Sequence, residues 1–383
     1  MGSKRDRPSL SAIGGEQRKA IFMRLLMVFA ALALAPVTAL AEEQAAKDSA
    51  SPEVVSGVYI AKDFTFHGGE TLPEIRLAYT TIGTPHRNAR GEIDNAVMLH
   101  HGTGGNGTNF LNPATRDTFF GPGKPFDAQN HYIILPDAIG HGTSSKPSDG
   151  KRMAFPHYSY RDMVEAEHRL LTEHLDVKNL KVAMGISMGC MVVFEWAVTY
   201  PDFIQKAIPM ACYPAEVAGH NRLQRALAVE AIKSDPAWQG GDYTEQPVAG
   251  MRGMALLSAL MRRNPLYDQA HFPTGAKADE MIEGVVAQAK KQTRDANDAI
   301  YQIDAYRGYD PLPELGKIQA DILWINFADD LINPPGLGLA EEAVKNSSKI
   351  RFHLVPASEE TYGHMTLIKP EFWLQEIEAF LAE

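Results

Sequence analysis

At 383 residues the chain is too long for one small core and suits a large domain with an insertion, or two domains. An apolar share of 45% excludes a mainly disordered chain. A net charge of −10 with no basic stripe excludes a general nucleic-acid binder.

The first segment, "RKAIFMRLLMVFAALALAPVTALA", has a basic flank, an apolar run from Leu25 to Pro36, and small residues Ala39 and Ala41. That is the layout of a secretory signal, and residues 1–41 are expected to be one, cleaved after Ala41. The rival reading, a membrane anchor, needs roughly 20 apolar residues, more than precede Pro36. Translation from Met23 gives a better-proportioned signal than translation from Met1. The mature chain is thus expected to be periplasmic or secreted, with no membrane span. Residues 42–57 are small, polar and aperiodic and read as a linker.

Residues 58–213 hold the first part of a core. "EIRLAYTTIG" alternates and suggests an edge strand. Apolar runs follow from Ala96, Tyr132, Lys181 and Lys206, and late ones from Asp321 and Ile350. Runs without clean alternation suit strands buried on both faces. "YRDMVEAEHRLLTEHL" and "PEFWLQEIEAFLAE" are amphipathic helices. Strand alternating with helix gives an α/β fold, a mostly parallel central sheet flanked by helices. Residues 214–311 are helical throughout and read as a cap inserted over the C-terminal edge of the sheet, and residues 312–383 complete the core.

Gly185-Ile186-Ser187-Met188-Gly189 lies where an apolar strand enters a helix. G-x-S-x-G in that setting is a nucleophile elbow. The turn is tight enough to demand glycine on either side. It holds the Ser187 hydroxyl out over the sheet edge and leaves the Met188 amide free for an oxyanion. A base is needed after the last strand, and His364 lies in the loop there. An acid is needed after the preceding strand, where Asp329 and Asp330 stand side by side; one of them should reach His364, and Asp329 is the choice. A second oxyanion donor is expected from "HHGTGGNG", with Thr103 the candidate; this loop lacks the phosphate-cradling pattern G-x-x-x-x-G-K-[ST]. His141 is read as structural. Cys190 and Cys212 read as two small buried apolar residues rather than a disulfide. No metal-ligand spacing occurs, and the pattern calls for no cofactor.

With these residues placed, the chain resembles the α/β-hydrolase superfamily and, within it, the homoserine O-acetyltransferase family. The resemblance spans about Val58 to Ala382. It is carried by "GISMGCMVVFEWAVTYPDFIQKAIPMA", with Cys190 where a glycine is usual, and by "FPHYSYRDMVEAEHRLLTEHLDVKNL", "IKSDPAWQGGDY", "DANDAIYQIDAYRGYD", "ADDLINPP" and "GHMTL". It implies an α/β-hydrolase fold with Ser187 as nucleophile, Asp329 as acid and His364 as base. It also implies that Arg225 stands for the family's arginine facing the substrate carboxylate, although the helix around 221–234 carries extra residues and "HHGTGG" departs from the usual oxyanion loop.

Two enzymatic readings follow. The first is an exported serine hydrolase cleaving a carboxylic ester through an acyl-enzyme. The second is an O-acyltransferase moving an acetyl group from acetyl-CoA to an alcohol, for which Arg225, Arg252, Arg262 and Arg263 are candidate partners of an acceptor carboxylate. The expected partner is a small acyl substrate, and a homodimer is compatible with the sequence. A binding module without chemistry has no need of all three of Ser187, His364 and an aspartate.

Overall fold

The computed structural model describes residues 53–383. The signal segment 1–41 and most of the linker lie outside the described residues. The linker reading is corrected at its end: Val54 to Gly57 already belong to strand β1 (Val54–Thr65). Their side chains are exposed or half-buried, which is why they read as linker.

The six apolar runs and the alternating segment form strands of an eight-stranded sheet, to which β1, not expected from the sequence, adds the eighth. Its strands are β1, β2 (Thr71–Ile82), β3 (Ala96–His100), β4 (Tyr132–Pro136), β5 (Leu180–Ile186), β6 (Ile204–Met210), β7 (Asp321–Phe327) and β8 (Ile350–Val355). The order is β1-β2-β4-β3-β5-β6-β7-β8. β1 and β2 pair antiparallel, as do β2 and β4; the other pairings are parallel. The edge position expected for β2 belongs to β1.

The core has two layers because successive strand residues point to opposite faces. Ala96, Met98, Ile322 and Trp324 pack on one side, with Met163, Phe194 and Trp196 from the helices there. Val97, Leu99, Leu323 and Ile325 pack on the other, with Phe119, Phe126, Trp373 and Phe380. The inner strands β3 to β7 are mostly buried on both faces, so each reads as an apolar run.

The helices are α1 (Pro113–Phe119), α2 (Tyr160–Arg169), α3 (Met188–Thr199), α4 (Gly219–Lys233), α5 (Val248–Met261), α6 (Pro265–His271), α7 (Gly275–Ala289), α8 (Ala296–Asp304), α9 (Leu339–Asn346) and α10 (Leu374–Ala382). Ser159 opens α2 by accepting a hydrogen bond from the Asp162 amide, and Asp162 returns the bond, a capping box. α3 is buried from Met188 to Val198, as a helix apolar all round must be. Helices α4 to α8 fill the stretch between β6 and β7. They have a core of their own, including Val229, Ile232, Met251, Met254 and Ile300. None of the described helices is long and apolar enough to cross a membrane.

Candidate active site

Ser187 sits between β5 and α3 with φ 54 and ψ −111, a conformation costly for any residue but glycine. The sheet over-determines it. The Ser187 amide donates to the Met210 carbonyl at 2.8 Å, and its own carbonyl accepts from the Cys190 amide at 3.0 Å. Both flanking glycines are needed. A Cβ at Gly185 would lie 2.1 Å from the Gly189 carbonyl oxygen, and one at Gly189 would lie 2.3 Å from that of His100 on β3. The second contact is not with the elbow itself: Gly189 lets α3 rest on the neighbouring strand.

The chain then brings a base to this hydroxyl. His364, in the turn Gly363–Ile368, places Nε2 2.9 Å from Ser187 Oγ. Its Nδ1 lies 2.7 Å from Asp330 Oδ2. With Nδ1–H donated to the carboxylate, Nε2 is left to accept the serine proton. The acid is therefore Asp330, which corrects the choice of Asp329. After β7 the Asp330 amide donates back to the Phe327 carbonyl, and this turn carries the second carboxylate to the imidazole. Asp330 is 1% exposed, and its charge is met by the Ile332 amide at 2.8 Å and the Asn333 amide nitrogen at 2.9 Å. Asn333 also donates to the Ala211 carbonyl, linking the acid to the end of β6. Asp329 points elsewhere, and its Oδ2 accepts from the Gly363 amide at 3.0 Å. It thus holds the residue before the base. Burial and the charge of Asp330 raise the nearby Tyr213 hydroxyl to about 12.

A cavity of about 610 Å³ opens above Ser187 and His364. Thr103 lies in its wall, beside Gly102, Gly104 and Gly105 of the same loop. The Gly105 amide closes that loop on the Gly102 carbonyl at 3.0 Å. Met188 is the first residue of α3, where a backbone amide has no partner within the helix. His101 fastens the loop from below: its Nδ1 donates to the Gly102 carbonyl and its Nε2 accepts from the Ala138 amide. Burial lowers the affinity of His101 for a proton, and lowers that of His141 further. Both are neutral supports, with ring centres 4.9 Å apart.

The cap supplies the roof. Arg225 reaches the cavity wall from α4, 7% exposed. Its Nε donates to Asn221, one Nη donates to the Ile303 carbonyl, and its guanidinium rests on the Tyr306 ring. Arg262 lines the cavity too, whereas Arg263 is turned to Asp268 at 2.8 Å, and neither it nor Arg252 lines it. The cavity also receives Lys291 and Arg294, which the sequence reading did not single out. Nothing local marks a cap cation as facing inward. No carboxylate lines this cavity among the described residues. A second cavity of about 680 Å³, beside Glu195, Tyr301 and Asp310, is lined by none of the three residues Ser187, His364 and Asp330.

Cys190 and Cys212 form a disulfide, with Cα atoms 5.8 Å apart, which corrects the reading of two separate thiols. The bond joins the first turn of α3 to the second residue past β6. Among the described residues no group of three or more His, Cys, Asp or Glu is arranged to hold a metal ion.

The model of the family described as alpha/beta hydrolase fold matches residues 95–363. The chain is similar to a homoserine O-acetyltransferase of Geotalea uraniireducens (strain Rf4), 30% identical over 370 residues, covering 85% of this chain and 97% of that one. Its backbone is similar to that of a homoserine O-acetyltransferase from Bacillus anthracis (TM-score 0.74, 20% identity, 86% and 98% of the two chains). It is also similar to the acetyl esterase MekB (TM-score 0.68, 25% identity, 86% and 96%).

Proposed function

We propose, for a chain that belongs to the α/β-hydrolase fold family and within it to the homoserine O-acetyltransferase-like proteins, that it works as an exported serine hydrolase cleaving a carboxylic ester. The observation that carries this is the hydrogen-bonded line Ser187–His364–Asp330, 2.9 and 2.7 Å, beneath the cavity.

Ser187 Oγ attacks the ester carbonyl while His364 Nε2 takes its proton. Asp330 fixes the imidazole tautomer and stabilises the imidazolium that forms. The Met188 and Thr103 amides receive the oxyanion. The tetrahedral species collapses, the carbon–oxygen bond to the alcohol breaks, and the alcohol leaves with the proton from His364. Water then attacks the acyl-Ser187 ester, again through His364, and the free acid departs.

The alternative keeps the first half and replaces water by an alcohol, with acetyl-CoA as donor. The Geotalea relative, alike over nearly its whole length, favours that reading. The lining of the cavity suits only part of a homoserine acceptor: Arg225, Arg262, Lys291 and Arg294 can meet its carboxylate, while no carboxylate among the described lining residues meets its ammonium. MekB's name supports an acetyl ester as one substrate class. Export is supported by the signal-like segment 1–41 and by the Cys190–Cys212 disulfide, since such bonds persist in oxidising compartments.

The deciding experiment uses the mature chain with Ser187→Ala as blank. It measures acid release from short acetyl esters and CoA release from acetyl-CoA with and without homoserine. Ser187-dependent ester cleavage with no homoserine-dependent CoA release supports the hydrolase. Homoserine-dependent CoA release overturns it in favour of the transferase.

A further inference from the structure

Arg294 lies in the connection between α7 and α8, and its guanidinium is pressed against the loop that faces Ser187. A Cβ on Gly104 would lie 2.0 Å from Arg294 Nη1, and Gly104, at φ +73, directly follows Thr103. The hydrogen bonds of this guanidinium are long. Nε reaches Gln292 Oε1 at 3.3 Å, Nη1 reaches Gln302 Oε1 at 3.4 Å, and Nη2 reaches Met254 Sδ at 3.8 Å. Five donors are present, and these contacts are at the weak end of the range.

The placement is built rather than incidental. Gln302, 5% exposed, donates its amide to the Gly140 carbonyl at 2.7 Å, which turns its Oε1 toward Arg294. No carboxylate among the described residues pairs with Arg294, whereas Arg263 has Asp268 and Arg87 has Asp176. Burial, and then the charge of Arg262, make the protonated guanidinium less favourable than in water. An arginine cannot escape that cost by losing its proton; an arriving anion relieves it. Arg225 differs, because a backbone carbonyl, Asn221 and the Tyr306 ring already hold it.

Resting on the reading of Ser187 as the residue that takes the acyl group, we propose that Arg294 is a specificity-determining residue. It binds an anionic group, carboxylate or phosphate, carried by the substrate close to its reacting carbonyl. A guanidinium suits both through paired donors, and its seat against Gly104 puts that group beside the oxyanion loop.

The test compares matched esters: O-acetylglycolate with its methyl ester, methyl hydrogen succinate with dimethyl succinate, and 2-acetoxyethyl phosphate. Wild type should prefer the charged member of at least one pair in kcat/KM. Arg294→Gln should lower that charged-to-neutral ratio about tenfold or more, and Arg294→Lys should restore part of it. A stronger effect on the phosphate than on the carboxylates would identify phosphate as the group recognised. Ratios unchanged in Arg294→Gln, with Ser187 still labelled by a fluorophosphonate, would overturn the proposal. A separate assay keeps it apart from the hydrolase reading: protection of Ser187 from the fluorophosphonate by malonate or inorganic phosphate. If no ester is cleaved but protection is seen in wild type and lost in Arg294→Gln, the hydrolase reading fails and the anion site stands. Equal protection in both proteins overturns the anion site.

Discussion

Asp330 Oδ2 lies 2.7 Å from His364 Nδ1, while the adjacent Asp329 spends its carboxylate on the Gly363 amide. The two aspartates therefore predict different losses. Asp330→Asn keeps the shape but presents an amide to Nδ1 and favours the wrong tautomer. Ester turnover should fall roughly a thousandfold to ten-thousandfold. Asp329→Asn leaves the imidazole partnered and only loosens the turn that carries it, so a loss of about tenfold is expected, in keeping with a small misplacement. Single-turnover labelling of Ser187 by a fluorophosphonate, compared in the two variants, checks this. A greater loss in Asp329→Asn would reverse the assignment.

Gly189 and His100 make the second prediction. Gly189→Ala sets a methyl 2.3 Å from the His100 carbonyl oxygen, so α3 has to lift from β3. Backbone on both sides leaves no flexible group to yield. A stability loss of about 3 kcal/mol is expected from overpacking, with turnover falling as Ser187 shifts. Urea unfolding followed by tryptophan fluorescence measures it, and an unchanged midpoint would show that the contact relaxes freely.

The inner strands of the sheet were readable because they are apolar on both faces, and Ser187 and His364 were readable because each has a local setting, a strand-to-helix glycine turn and a loop after the last strand. The acid was harder. Asp329 and Asp330 have the same chemistry and neighbouring positions, and only the turn closed by the Asp330 amide on Phe327 separates them. The whole of β1 was hidden because most of its positions from Val54 to Thr65 are exposed or half-buried, as on an edge strand with little core to alternate against. Cys190 and Cys212 stand 22 residues apart, and their 5.8 Å approach depends on how α3 packs beside β6. Arg294 is one cap cation among several in the sequence. That no carboxylate among the described residues pairs with it is a property of its surroundings in space.

The disulfide carries the third prediction. Closing a loop between residues 190 and 212 removes roughly 3 kcal/mol of chain entropy from the unfolded state. Cys190→Ala with Cys212→Ala should lower stability by about that amount. It should also slow Ser187 labelling, because Cys190 lies in the first turn after the nucleophile. Peptide mapping without reductant should recover the two segments joined. Two free thiols in the folded protein would remove both expectations.

His101, His131 and His141 set the fourth. Burial is the main cause in each case, and it lowers their proton affinity below the ordinary imidazole value of 6.5. The unfolded chain therefore binds protons at these sites more readily than the folded one. The stability they allow is complete above about pH 6.5 and is lost as pH falls below it. Glu195 and Asp298, raised by burial, work in the opposite sense, since the folded chain holds their protons more readily than the unfolded one. Stability should thus drop as pH falls below about 6.5 in urea unfolding. His141 is the most depressed of the three, and its Nε2 has no partner among the described residues. His141→Asn keeps a donor for the Ile139 carbonyl and removes the titration, so it should flatten the slope. A slope equally steep in that variant would place the acid sensitivity elsewhere.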